Sequence, residues 1–156
     1  MTWHTYKLDE IAQELVLDAL KRSPDSLNQS YKMRTTVAFG LERFWGEHIR
    51  LLAKGEKSKK HKKSEDYTKG LYWFDTWKAF RKTMKTAHIY LPKQLKKVEN
   101  SDELKNLTRQ FWGEEPLISG DPTTKLSLED RRVALAVLTQ LCDSLVWWTQ
   151  RYKNLS

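Results

Sequence analysis

Four cations recur on one face of the stretch Gly70–Lys97, GLYWFDTWKAFRKTMKTAHIYLPKQLKK: Lys78, Arg81, Lys82 and Lys85. At 100° per residue they form one helical stripe, while Trp73, Trp77, Phe80, Met84, Ala87 and Leu91 form another, centred about 130° away. A helix with this pattern buries its aromatic stripe and keeps the cations outside. Like charges within two turns repel by about a few tenths of a kcal/mol per pair, and an anion laid along them relieves that repulsion. The chemistry is phosphate contact without base reading. Lysine and arginine neutralise backbone phosphates and release their counterions whatever the sequence of the strand.

Further cations flank the stripe. Lys57, Lys59, Lys60, Lys62 and Lys63 crowd into GEKSKKHKKSED, Gly55–Asp66, a segment almost without apolar residues and therefore expected to be a flexible basic loop. Lys93, Lys96 and Lys97 follow Pro92, and Arg131 and Arg132 open the last helical pattern, where they serve either phosphate or solvation. The chain carries a net +8. The window Lys54–Lys97 holds fourteen Lys/Arg against four Asp/Glu, a local +10 that leaves −2 for everything else. Basicity confined in this way is the footprint of nucleic-acid binding; the plainer alternative is a solvated lysine loop beside an ordinary amphipathic helix.

Other chemistries find less support. His4, His48, His61 and His88 are scattered and have no cysteine partners at metal-ligand spacing. The six glycines make no phosphate-cradling loop. Asp9-Glu10, Glu114-Glu115 and Glu129-Asp130 fall at helix starts or in loops, where capping and solvation explain them. No cofactor or metal is expected. One enzymatic pattern stands apart: Arg43 precedes His48 by five residues and Arg81 precedes His88 by seven, a spacing similar to the motif of HEPN-type ribonucleases. In that family paired Arg and His line a cleft between helical bundles, the histidine moving protons and the arginine holding phosphate. The polar residue that often follows the Arg there is Phe44 or Lys82 here, and His48 lies on an apolar stripe, where it reads as a core histidine.

The elements that must position these residues are helical. Ile11, Ala12, Leu15, Val16, Ala19 and Leu20 mark a first helix, Asp9–Lys21, broken by Ser23-Pro24-Asp25-Ser26. Met33, Val37, Leu41, Phe44, His48, Leu51 and Leu52 predict one long second helix from Asn28 to Lys54, stopped by Gly55, with Gly40 and Gly46 inside it admitting a close neighbour. The third helix is expected to end near Pro92. Ser101 caps a short helix bearing Leu104, Leu107, Phe111 and Trp112 and stopped at Gly113; a loop runs to Lys125. Ser127 with Asp130 resembles a capping box and opens a long final helix with the stripe Ala134, Val137, Leu138, Leu141, Leu145, Trp148 and Tyr152. No segment alternates at period two. The expectation is an all-α fold, a single helical domain over residues 1–156 with four to six helices and a long C-terminal one.

The single Cys142 reads as a small core residue, which gives no argument for an oxidising compartment. The start, MTWHTYKLDE, lacks a basic region followed by an apolar run, and Val133–Trp148 is shorter than the ~20 residues of a membrane span. A soluble cytoplasmic protein with no membrane partner is expected.

In its size, its all-helical pattern, the Lys54–Lys97 basic block and the aromatic-rich terminal helix DRRVALAVLTQLCDSLVWWTQRYKN, the chain resembles the small subunit of CRISPR effector complexes, in particular the type I-D kind, with type III small subunits as cousins. The resemblance implies a non-catalytic protein that stacks in several copies along the crRNA-bearing backbone and helps hold target and displaced strands. Its implied partners are crRNA, a target DNA or RNA strand, other effector subunits and further copies of itself. A HEPN-like ribonuclease and a structural bundle with protein partners are the alternatives.

Overall fold

The structure is a computed structural model that describes residues 7–57 and 65–155. It is all-α: α1 (Leu8–Arg22), α2 (Gln29–Thr36), α3 (Leu41–Lys57), α4 (Glu65–Thr86), α5 (Ser101–Phe111) and the long C-terminal α6 (Leu128–Lys153). The described residues hold no strand, only an isolated bridge between Pro116 and Lys125. None of their helices is long and apolar enough to cross a membrane.

One buried cluster draws on every helix, from Leu8 and Val16 in α1 to Leu141 and Leu145 in α6. Its half around α3, α4 and α5 is aromatic. Phe44 meets Trp73 at 4.8 Å between ring centroids, Trp45 meets Phe111 at 5.2 Å, and Trp77 meets both Phe80 and Phe111. Cys142 is fully buried in the other half, as its apolar context predicts, and burial pushes its thiol pKa upward. The Ser30 hydroxyl bridges Tyr72 and Thr149, at 2.5 and 2.6 Å, tying α2, α4 and α6 together by a hydrogen-bond network inside the core. Buried hydroxyls of this kind must find partners, so the network also fixes how the three helices sit.

The long second helix is two helices. After α2 a 3-10 turn, Val37–Phe39, leads into Gly40 at φ +105°, and α3 starts at Leu41. A Cβ on Gly40 would meet nothing within 4 Å, so this glycine serves the backbone conformation and not a neighbour's approach. The close approach belongs to Gly55, which is not a stop but lies within α3: its Cβ would fall 2.5 Å from the Tyr67 backbone nitrogen where α4 crosses. Gly55→Ala is therefore expected to cost about 1–3 kcal/mol by overpacking. Gly46→Ala, whose Cβ would make only an ordinary 3.4 Å contact with Glu42, should stabilise by up to about 1 kcal/mol. Thermal melts of the two variants check the crossing; equal effects would contradict it.

Two helix ends also differ from expectation. α4 stops at Thr86, six residues before Pro92, because Ile89 N–H and His88 N–H bond back to the Met84 and Lys85 carbonyls. This is a Schellman motif with His88 at φ +61° in the position that glycine usually takes. Ala87 and Leu91 therefore leave the helical stripe, although Leu91 is still buried. In α5 the cap is Asn100, one residue earlier than Ser101: its side chain accepts from Glu103 N–H at 2.9 Å, while Glu103 accepts from Glu99 N–H. The inward face of α5 is Leu107, Gln110 and Phe111; Leu104 and Trp112 are exposed. Ser127 does cap α6, accepting from Asp130 N–H at 3.0 Å.

Candidate nucleic-acid interface

Past the Schellman turn the chain doubles back along α4, held by a short ladder of contacts. Arg81 Nε donates to the Pro92 carbonyl at 3.1 Å, Gln94 Nε2 to the Phe74 carbonyl at 3.3 Å, and Lys96 Nζ lies 5.3 Å from the Phe74 ring centroid. From Arg81 back to Phe74 is about 10 Å of helix, and the four residues from Pro92 to Lys96 reach about 13 Å when extended, so the two runs keep pace. On α4, Phe74, Lys78, Arg81 and Lys85 share about 60° of arc. The return segment thus sets Lys93, Lys96 and Lys97 beside Lys78 and Lys85, and all five are exposed and without an ion pair among the described residues.

Each expected cation has a distinct place. Arg81 is half-buried, and its bond to Pro92 makes it the anchor of the return segment as well as a charge. Lys82 is exposed but lines a groove whose other wall carries Glu10, Glu14 and Asp18 of α1, so its field is offset locally. Arg131 is half-buried against the Gly113 turn and Arg132 is exposed, and neither has a hydrogen bond or ion pair to the α4 cations among the described residues. Lys57 closes α3; Lys59, Lys60, Lys62 and Lys63, and with them most of the expected basic loop, lie outside the described residues. Residues 55–57 and 65–66, placed in that loop by sequence, are helical. Lys54 and Lys69, also in the basic window, pair with Asp66 and Glu65.

His48 holds the return segment from below. It is fully buried, and its Nε2–H donates to the Leu95 carbonyl at 2.9 Å between the rings of Trp45 and Phe74. Burial holds its pKa below the ordinary 6.5, outweighing the opposite pull of its backbone hydrogen bonds. The folded state therefore resists protonation that the unfolded chain accepts. The stabilisation from neutral His48 is complete above pH 6.5 and is lost as pH falls from there towards the lower folded-state value. His48→Gln should flatten the fall of melting temperature between pH 7.5 and pH 5; an unchanged slope would contradict this role. Arg43, the nominal partner of His48 by spacing, is exposed and lies 6.0 Å from the Phe39 ring centroid.

Next to the basic face lies a cleft of about 880 Å³ between the end of α4, the return segment, α5, the loop 115–126 and the first turn of α6. Arg81, His88, Tyr90 and Lys93 form one wall, Glu103 and Gln110 come from α5, and Glu115, Lys125 and Asp130 form the far wall. Sequence reasoning missed this cleft. A signal was present, since Gln110 sits three residues after Leu107 and next to Phe111, a polar side chain at a core position. Of three tyrosines in the basic window, Tyr72 is buried, Tyr67 is half-buried beside Gly55, and Tyr90 is exposed at the cleft. Among the described residues no group of three or more His, Cys, Asp or Glu side chains is arranged to hold a metal ion.

Comparison with known proteins gives no matching family model, no matching curated protein and no matching solved structure.

Proposed function

We propose that this helical bundle binds nucleic acid through the phosphate backbone, without catalysis and without reading sequence. The observation that carries the reading is the return segment, which adds Lys93, Lys96 and Lys97 to the Lys78–Lys85 face of α4 and leaves these five ammonium groups unpaired by carboxylates among the described residues. Lysines in a row are point charges with no planar fork to match a base edge, so they suit any strand equally. Fluorescence anisotropy with several unrelated 20-nucleotide single strands at low salt tests it. The expected result is binding of all within a few-fold of one another; binding of none, or of one sequence alone, refutes it.

The finer assignment, a small subunit of a CRISPR ribonucleoprotein effector, rests on the resemblance of size, helicity, charge block and terminal helix. It predicts that guide RNA and large effector proteins copurify with the chain. A HEPN-like second reading draws on one observation, that Arg81 and His88 line the same cleft. It requires RNA cleavage that His88→Ala abolishes.

A further inference from the structure

We propose that the cleft beside the basic face receives one nucleotide of the bound strand, its base turned inward against Gln110 and Tyr90 and its phosphate held by Arg81 and Lys93. This inference rests on the phosphate-contact reading above and adds a base pocket to it. Gln110 is the decisive residue. It is only 8 % exposed, it lines the cleft, and its side-chain amide has no hydrogen-bond partner among the described residues. Its amide atoms are not sealed from solvent, so they open towards the 880 Å³ space and are available to a ligand that both donates and accepts. The edge of a nucleobase does both.

The rest of the cleft fits the same occupant. Its volume lies in the range of small-ligand sites, about 300–1,000 Å³, and is too small for a duplex. Tyr90 is 53 % exposed at the cleft and makes no ring contact with another described residue, so its face is open to stack a base. Charge sets the orientation. Arg81 and Lys93 stand on the side of α4 and the return segment, continuous with Lys85 and Lys78, whereas Glu115 and Lys125 stand on the loop and Asp130 in the first turn of α6. A phosphate is attracted to the first wall and repelled by the carboxylates of the second, which in turn accept from the exocyclic amino groups of a base. Glu103 is committed to capping Glu99 N–H. His88 keeps its left-handed backbone at the lip of this site, at a position where glycine would be unstrained.

The experiment compares a 12-nucleotide single strand with an abasic strand of the same phosphate count, binding the full chain by anisotropy at one salt concentration. The base-containing strand should bind about tenfold tighter. Gln110→Leu and, as a surface change that leaves the core intact, Tyr90→Ala should each bring that ratio towards one without weakening the abasic strand. Equal affinity of wild type for both strands, or a ratio that survives both variants, overturns the base pocket and leaves the phosphate-contact reading standing. Binding of neither strand overturns both. Saturable binding of AMP without any preference between the strands assigns the cleft to a free nucleotide and overturns its use by a bound strand.

Discussion

Trp73→Ala will lower the stability of the fold by about 3–5 kcal/mol, the range for removing a large aromatic side chain from a packed core. Trp73 is fully buried, and its ring packs against Phe44 at 4.8 Å. Its indole N–H also donates to Gln29 Oε1 at 2.9 Å across to α2. Truncation thus opens a cavity and leaves the buried Gln29 amide without its donor, and the two costs act in the same direction. For a chain of this size about 4 kcal/mol corresponds to a fall in melting temperature of roughly 10 °C. Trp147→Ala is the control: that side chain is half-exposed on the outer side of α6 beside Arg151, and its removal should change the melting temperature little. Equal effects at the two positions would contradict the placement of α4 in the core.

The second large effect is on binding. Reversing Lys78, Lys85 and Lys93 to glutamate changes the charge of the proposed face by six units while touching no buried group and no ion pair among the described residues. Loss of three phosphate contacts, with repulsion put in their place, should weaken single-strand binding at least a hundredfold at low salt. Lys82→Glu should do less, because Glu10, Glu14 and Asp18 of α1 already offset that charge. Arg81 is a poor choice for such a test, since its bond to Pro92 anchors the return segment and its loss would disturb the site indirectly. A triple variant that binds like wild type while melting at the same temperature would remove the face from consideration.

Much of this architecture is legible in residue spacing, and the failures have physical causes. The stripe Trp73, Trp77, Phe80 and Met84 and the opposing Lys78, Lys82 and Lys85 are where helical periodicity puts them, because a single buried side fixes the rotation of the helix. Cys142 and His48 are core residues, and the Ser127 cap forms. Glycine was the weak point. Gly40 and Gly55 exchange their expected roles, since a stop, a positive φ and a close crossing all select the same residue and only the neighbour, Tyr67, distinguishes them. The end of α4 was masked for a related reason: the left-handed cap is a histidine, so no glycine announced it. The union of the α4 cations with Lys93 and Lys96 depends on Arg81, Gln94 and His48 reaching carbonyls of other segments, and pairings of that kind leave no periodic trace. The cleft is assembled from the end of one helix, a side of another, a loop and the first turn of α6, and only Gln110 hinted at it.

The most direct test of the central claim is the slope of log K against log salt for a single strand, measured for the wild type and for the Lys78/Lys85/Lys93→Glu variant. If these cations each displace a counterion from phosphate, the wild-type slope is steep and negative, and the variant's is shallower by about 2, at ~0.7 per lost contact. A wild-type affinity indifferent to salt, or a variant slope equal to that of wild type, would contradict the account.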